Sequence, residues 1–241
     1  MKKIQIFLCL LLCVFLVACS KKIEESSPSH IEAENNNVTT EEKLGTQWGD
    51  EINSRVTKVE LTRKVDTPIA ESIVHYADKN YKGKAVSSIS LLAGKIEFSV
   101  LDDQGNKFPM YRAGENYYLA GKAGQSYQLQ YKNSTDQTFE IVTSVDGIDV
   151  INGSEASRQN SGYVLNAHDS LSIEGFRKSE NAVASFTFSK PDDAYAANSN
   201  NGSIQNTGVI GTVVYELNTP IKENKSVNEY APPPNAFPAD S

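Results

Sequence analysis

The sequence predicts an all-β fold between residues 44 and 218: an antiparallel β-sandwich, immunoglobulin-like or jelly-roll-like. Three observations carry this. Apolar residues alternate with polar ones in short runs, the period-two pattern of half-buried strands. Turn residues break these runs about every ten positions, as in sandwiches and barrels. Asp146-Gly147 and Asn152-Gly153 are residue pairs that suit tight hairpins.

The elements follow in order. Thr67-Pro68 offers a helix cap and first turn with Ile69, Ile73 and Tyr76 on one face, yet Ile73 to Tyr76 reads equally well as a strand. Ile96, Phe98 and Val100 alternate with polar neighbours up to a turn at Asp102-Asp103-Gln104-Gly105-Asn106. Tyr127, Leu129 and Tyr131 form the next run, which ends at Asn133-Ser134-Thr135-Asp136. Phe139, Ile141 and Thr143 share a face up to the Asp146-Gly147 turn, and a short run, Ile148 to Ile151, follows it. Leu171 and Ile173 alternate before Gly175, and Ala184, Phe186 and Phe188 before Pro191. Val209 to Leu217 is denser in apolar residues, which marks a strand inside a sheet rather than at its edge.

The two ends have a different character. Lys2 and Lys3 precede an apolar run from Ile4 to Ala18 broken only by Gln5. Fifteen helical residues cover about 22 Å, too short for a bilayer span, so residues 1–18 read as a secretory signal peptide. Leu16-Val17-Ala18-Cys19 resembles the lipobox of bacterial lipoproteins. The resemblance implies cleavage before Cys19 and acylation of its thiol. Ser20, in place of Asp, resembles the default sorting to an outer membrane, on its periplasmic or surface side. Cys9 and Cys13 leave with the leader, so the mature chain is expected to hold neither a disulfide nor a thiolate metal site. Residues 19–43 are rich in Ser, Glu, Asn and Thr and read as a disordered, lipidated tether with an average reach of roughly 27 Å. From residue 219 onward, Pro220, Pro232-Pro233-Pro234 and Pro238 predict a Pro-rich, extended tail.

Charge narrows the partners. The formal net charge of −7 becomes −9 once Lys2 and Lys3 are removed, which argues against nucleic acid and against electrostatic docking to anionic lipid. The membrane contact is then the lipid on Cys19. Catalytic signals are sparse. His30, His75 and His168 are the only histidines, and the neighbours His168-Asp169-Ser170 cannot align as base, orienter and nucleophile. No metal or cofactor motif is present: Asp102 to Asn106 lacks the spacing of a calcium loop, and Gly121-Lys122-Ala123-Gly124 that of a phosphate loop. No cofactor and no metal is expected.

Residues 117–217 resemble an uncharacterised domain family of bacterial secreted proteins and lipoproteins. The likeness lies in Tyr118-Leu119-Ala120-Gly121, Ser144-Val145-Asp146-Gly147, Gly162-Tyr163-Val164, Gly175-Phe176-Arg177, Phe186 and Phe188, Tyr195-Ala196 and Asn206 to Gly211. Residues 48–111 resemble, more weakly, the region that precedes this domain, and residues 44–110 are a candidate subdomain. The resemblance implies a secreted location and no particular activity.

Three residues stand out as candidate site or lock positions. Asp146 and Arg177 would form a lock between hairpins or the polar floor of a ligand site, although Asp before Gly is also simply what a hairpin turn asks for. Tyr195 lies in a long loop, Lys190 to Gly208, suited to covering a pocket. Together these features predict a non-enzymatic envelope lipoprotein that binds another envelope protein or a polymer. Its loops Asp146 to Ser161 and Lys190 to Gly208 would carry the interface. The alternative is a carbohydrate-binding or hydrolase module using Tyr111, Tyr117, Tyr118, Tyr127 and Tyr131, and a third is a purely structural domain in an assembly. Exposed, coplanar tyrosines would favour the alternative; tyrosines buried between sheets would favour the binding lipoprotein.

Overall fold

The structure, a computed structural model, describes residues 37–218; the leader, Cys19, most of the tether and the Pro-rich tail lie outside the described residues. The first eight strands are β1 (Gly45–Asn53), β2 (Thr62–Arg63), β3 (Ala70–Ala77), β4 (Ala85–Val86), β5 (Ile89–Leu91), β6 (Ile96–Leu101), β7 (Met110–Ala113) and β8 (Asn116–Ala120). The remaining eight are β9 (Ser126–Asn133), β10 (Phe139–Val145), β11 (Ile148–Asp149), β12 (Tyr163–Leu165), β13 (Ser170–Ile173), β14 (Gly175–Arg177), β15 (Ala182–Ser189) and β16 (Val209–Asn218).

They form two sheets packed face to face, the all-β sandwich that the periodicity predicts. The seven-stranded sheet runs β1-β15-β9-β6-β5, with β13 beside β9 and β14 beside β15. The nine-stranded sheet runs β11-β10-β16-β3-β8-β7-β4, with β12 beside β10 and β2 beside β16. Pairing is antiparallel except between β3 and β8. Period-two patterning fills the space between the sheets. Phe98, Tyr131, Phe186 and Phe188 project from the smaller sheet, and Val74, Leu119, Ile141 and Val214 from the larger. Phe98 and Tyr131 stack with centroids 4.7 Å apart, and the Tyr131 hydroxyl lies 2.7 Å from Thr212 Oγ1 of the opposite sheet. Strand β16 sits between β10 and β3, the interior position its apolar density predicts.

Two boundaries differ from the sequence expectations, and one segment open between helix and strand is resolved. Residues 70–77 are a strand, not a helix: Ser72, Val74 and Tyr76 are buried while Glu71 and Ile73 are exposed, which is period two. Residues 44–110 are not a separate subdomain, because β1 pairs with β15 and β3 pairs with β16. The described fold also begins before residue 44. The Asp78 amide donates to the Glu42 carbonyl at 2.9 Å, and Lys79 Nζ donates to the Asn37 carbonyl at 2.7 Å, so residues 37–43 belong to the fold.

Ser72 has a buried hydroxyl with no hydrogen-bond partner among the described residues. A buried, unpaired hydroxyl carries its desolvation cost without compensation. Ser72→Ala is therefore expected to stabilise the fold by about 1 kcal/mol, read as a raised urea midpoint at unchanged slope.

Candidate functional site

Asp146 is the polar centre of one end of the sandwich. It occupies the β10–β11 turn with φ 55°, followed by Gly147 at φ 75°, the paired positive φ of a tight hairpin. Its carboxylate does more than shape the turn. Oδ2 accepts from the Thr46 amide at 2.7 Å, and Oδ1 accepts from the Tyr76 hydroxyl at 2.6 Å and the Gly208 amide at 2.8 Å. Thr46 Oγ1 in turn lies 2.7 Å from both the Tyr76 and the Tyr127 hydroxyls. Burial pushes the carboxyl pKa up to about 6, against the pull of its hydrogen bonds. With 0% exposure and its close donors all internal, Asp146 ties β1, β3 and the approach to β16 together. It presents nothing to a ligand.

Arg177 is not the partner of Asp146. Its Nε donates to the Tyr163 hydroxyl at 2.8 Å, and one terminal nitrogen donates to the Ser54 carbonyl at 2.8 Å and the Ser179 carbonyl at 3.1 Å. This links the end of β1 to β12 and β14. Tyr195 packs its ring against Trp48 and Phe176, with centroids 5.0 and 4.9 Å away. The loop from Lys190 to Gly208 folds through three short 3₁₀ turns and buries Ala194 and Ala196, so Tyr195 plugs the end of the sandwich. All three candidates are structural links between elements.

The tyrosines divide. Tyr127 and Tyr131 are buried between the sheets. Tyr111 and Tyr118, partners in the β7–β8 ladder, lie half-buried on the outer face of the larger sheet. Tyr81 packs over both, with centroids 6.2 and 5.3 Å away, and His75 stacks on Tyr118 at 5.6 Å. Burial lowers the His75 pKa, so the ring is neutral at pH 7.

This outer face holds the feature that the motifs missed. Cross-strand partners share a face, so the ladders place Val142 with Val213 and Glu71, Ser144 with Gly211 and Ile73, and Val209 with His75. The solvent side of an antiparallel sheet is ordinarily polar. Here it carries valines and an isoleucine, and Ile73 is 47% exposed. Gly211 leaves the middle of the face without a side chain. The result is a groove of about 220 Å³ floored by Ile73, Val142, Val209, Gly211 and Val213.

The segment from Ser154 to Gly162 walls one side. It is pinned where the Tyr215 hydroxyl donates to the Arg158 carbonyl at 2.8 Å, where Arg63 donates to the Asn160 carbonyl at 2.6 Å, and where the Gly162 amide donates to Glu140 at 2.7 Å. Arg158 then reaches across to Glu71 through two hydrogen bonds of 2.8 Å, which hold the Glu71 carboxyl below its usual range. The ion pair lies at the rim, with the Arg158 side chain 62% exposed, so it can exchange its carboxylate for another at little cost. The wall segment lies largely within the loop Asp146 to Ser161 chosen from sequence. The floor was signalled only by the apolar density of both faces of Val209 to Leu217.

Elsewhere, His168 Nε2 meets Asp136 at 2.7 Å on the surface, and not the side chain of Asp169 or Ser170. Among the described residues no group of three or more His, Cys, Asp or Glu could hold a metal ion. Compared with known protein families, with curated protein sequences and with solved structures, the chain matches none.

Proposed function

We propose that this chain is a lipid-anchored protein of a bacterial envelope whose sandwich binds another envelope protein or polymer, without catalysis, through the outer face of its nine-stranded sheet. The observation that supports this reading is the apolar groove around Gly211, where a solvated antiparallel face would carry polar residues. Exposed Ile73 and the half-buried Val209 and Val213 offer area to a partner, and the Arg158–Glu71 pair at the rim offers one carboxylate-specific contact. The leader and Leu16-Val17-Ala18-Cys19 support the location, as does the likeness of residues 117–217 to secreted and lipoprotein domains.

Two substitutions test the two halves of this proposal. Cys19→Ala is expected to move the protein from the membrane to the soluble fraction, and unchanged fractionation would remove the anchor. Ile73→Asp places a charge on an exposed, non-core position. It is expected to lower retention of a saturable envelope partner by about tenfold in a crosslinked pull-down, equivalent to about 1.4 kcal/mol. Equal retention by both proteins would move the interface off this face. Retention of polysaccharide alone would favour a carbohydrate-binding module.

A further inference from the structure

The groove is built around a gap of one side chain. In the ladder Ser144–Gly211–Ile73 the middle position carries none, and a Cβ placed there would stand 2.6 Å from Ser144 Oγ, so that hydroxyl leans over the opening. Val209 and Val213 bound the gap along β16, and Ser144, Gly211 and both valines are partly open to solvent. The volume of about 220 Å³ equals roughly seven water molecules at about 30 Å³ each, the bulk of one aromatic side chain. Resting on the reading of this face as a binding surface, we propose that its partner is an extended segment of an envelope protein that sets a large apolar side chain in this gap and, two residues along, a carboxylate on Arg158.

Arg158 supplies the polar half of the contact. A guanidinium holds five N–H donors in a rigid fork, and more than one edge of it can grip a carboxylate through a pair of them. Glu71 takes the edge formed by Nε and Nη2. The end-on edge, made by Nη1 and the second hydrogen of Nη2, has no acceptor among the described residues, and the side chain is largely exposed. Glu71 therefore orients the fork without filling it. A ligand carboxylate meets a donor pair already held in place, which lowers the ordering cost of the contact. Ser144 Oγ, over the gap, offers a further hydrogen bond to the backbone of the incoming segment.

Spacing joins the two halves. Glu71, which holds the guanidinium, pairs with Val213, and Val213 lies two residues along β16 from Gly211. Two strand residues cover about 7 Å. In an extended peptide the side chains at i and i+2 point the same way at that same spacing. One residue of the partner therefore fills the gap while the next on its face reaches Arg158. A basic residue in that second position would meet the guanidinium as a like charge.

The test is an NMR titration of residues 20–241, which contain the whole described fold, with the blocked peptide acetyl-Glu-Ser-Phe-Ser-Glu-amide, which offers the pair in either chain direction. Saturable shifts are expected at the amides of Ile73, Gly211 and Val213 and at Arg158 Nε. Gln in place of both Glu residues should weaken binding about threefold, the scale of an exposed ion pair. Gly211→Ala should weaken it about tenfold by filling the gap. Arg158→Gln, on an exposed side chain outside the core, should erase the difference between the Glu and Gln peptides. Absence of shifts at these positions would overturn the proposal. Equal affinity for the two peptides would overturn it as well, as would tighter binding of a Lys version, which would hand the contact to Glu71. The pull-down with Ile73→Asp decides the face by itself, so this motif can fail while the face remains a binding surface.

Discussion

Asp146→Ala is expected to cost about 4 kcal/mol of folding free energy, because it leaves several buried donors without an acceptor, each worth about 1–3 kcal/mol. The donors are the amides of Thr46 and Gly208 and the hydroxyl of Tyr76, all within 2.8 Å of the carboxylate. The same group gives the fold a pH dependence. Its pKa of about 6 in the fold lies above the ordinary value of about 3.9 for an unfolded Asp. The folded state therefore binds a proton that the unfolded state releases, and stability from this group is full below about pH 4 and lost as pH rises through about 6. The gap of about two between the folded and unfolded pKa values corresponds to about 3 kcal/mol. Urea denaturation at pH 4.5 and 7.5 reads both effects. The difference between the native protein and Asp146→Asn should shrink toward pH 7.5, and an equal difference at both values would mean the carboxyl titrates normally. Taking that difference also removes Glu42, Glu71, Glu97 and Asp102, whose lowered pKa values act in the opposite direction in both proteins.

Gly175→Ala should cost about 3 kcal/mol or more, by steric overlap rather than by a lost bond. A Cβ at Gly175 would stand 2.0 Å from the Ala184 carbonyl oxygen and 2.5 Å from its carbon. Both are backbone atoms of β15, so β14 has to lift away from it. That move would draw Phe176 from the core and loosen Arg177 from Ser54. Gly105→Ala is the control: its Cβ meets nothing within 4 Å, so only its positive φ of 83° is penalised, at about 1 kcal/mol. The two denaturation midpoints should separate clearly, with hydrogen exchange rising at the Arg177 amide, which bonds the Val150 carbonyl at 2.8 Å, in Gly175→Ala alone. Matching midpoints would show that β14 and β15 yield without penalty.

The architecture was legible because burial and polarity alternate with the strand period. Phe139, Ile141 and Thr143 all face inward as their spacing implies, and β16 lies in the interior of its sheet. Residues 70–77 were ambiguous because Ile69, Ile73 and Tyr76 also fit a helical face; tertiary pairing of β3 with β16 and β8 decided the matter. The site was less legible. Asp146, Arg177 and Tyr195 are residue types that stand out in a sequence, yet each is consumed by internal partners. The groove is made of Ile, Val and Gly, which are unremarkable one by one. Only register brings Ile73, Gly211 and Ser144 into line, and register between strands distant in sequence is not written in any local pattern.

The position of the Asp146 clamp has a mechanical consequence. A chain pulled at its N-terminal end passes tension into the fold first at Asn37 and Glu42, whose carbonyls accept from Lys79 and Asp78, then at Lys43, which bridges to Ala77, and at Leu44 and Gly45. The next amide along is that of Thr46, held by Asp146 in the opposite sheet. A pull on the N-terminal end thus meets, at the second residue of β1, a fastening that spans both layers. The load is shared by Tyr76, Tyr127 and Gly208, so β1, the first strand of the described fold, is stitched through the thickness of the sandwich.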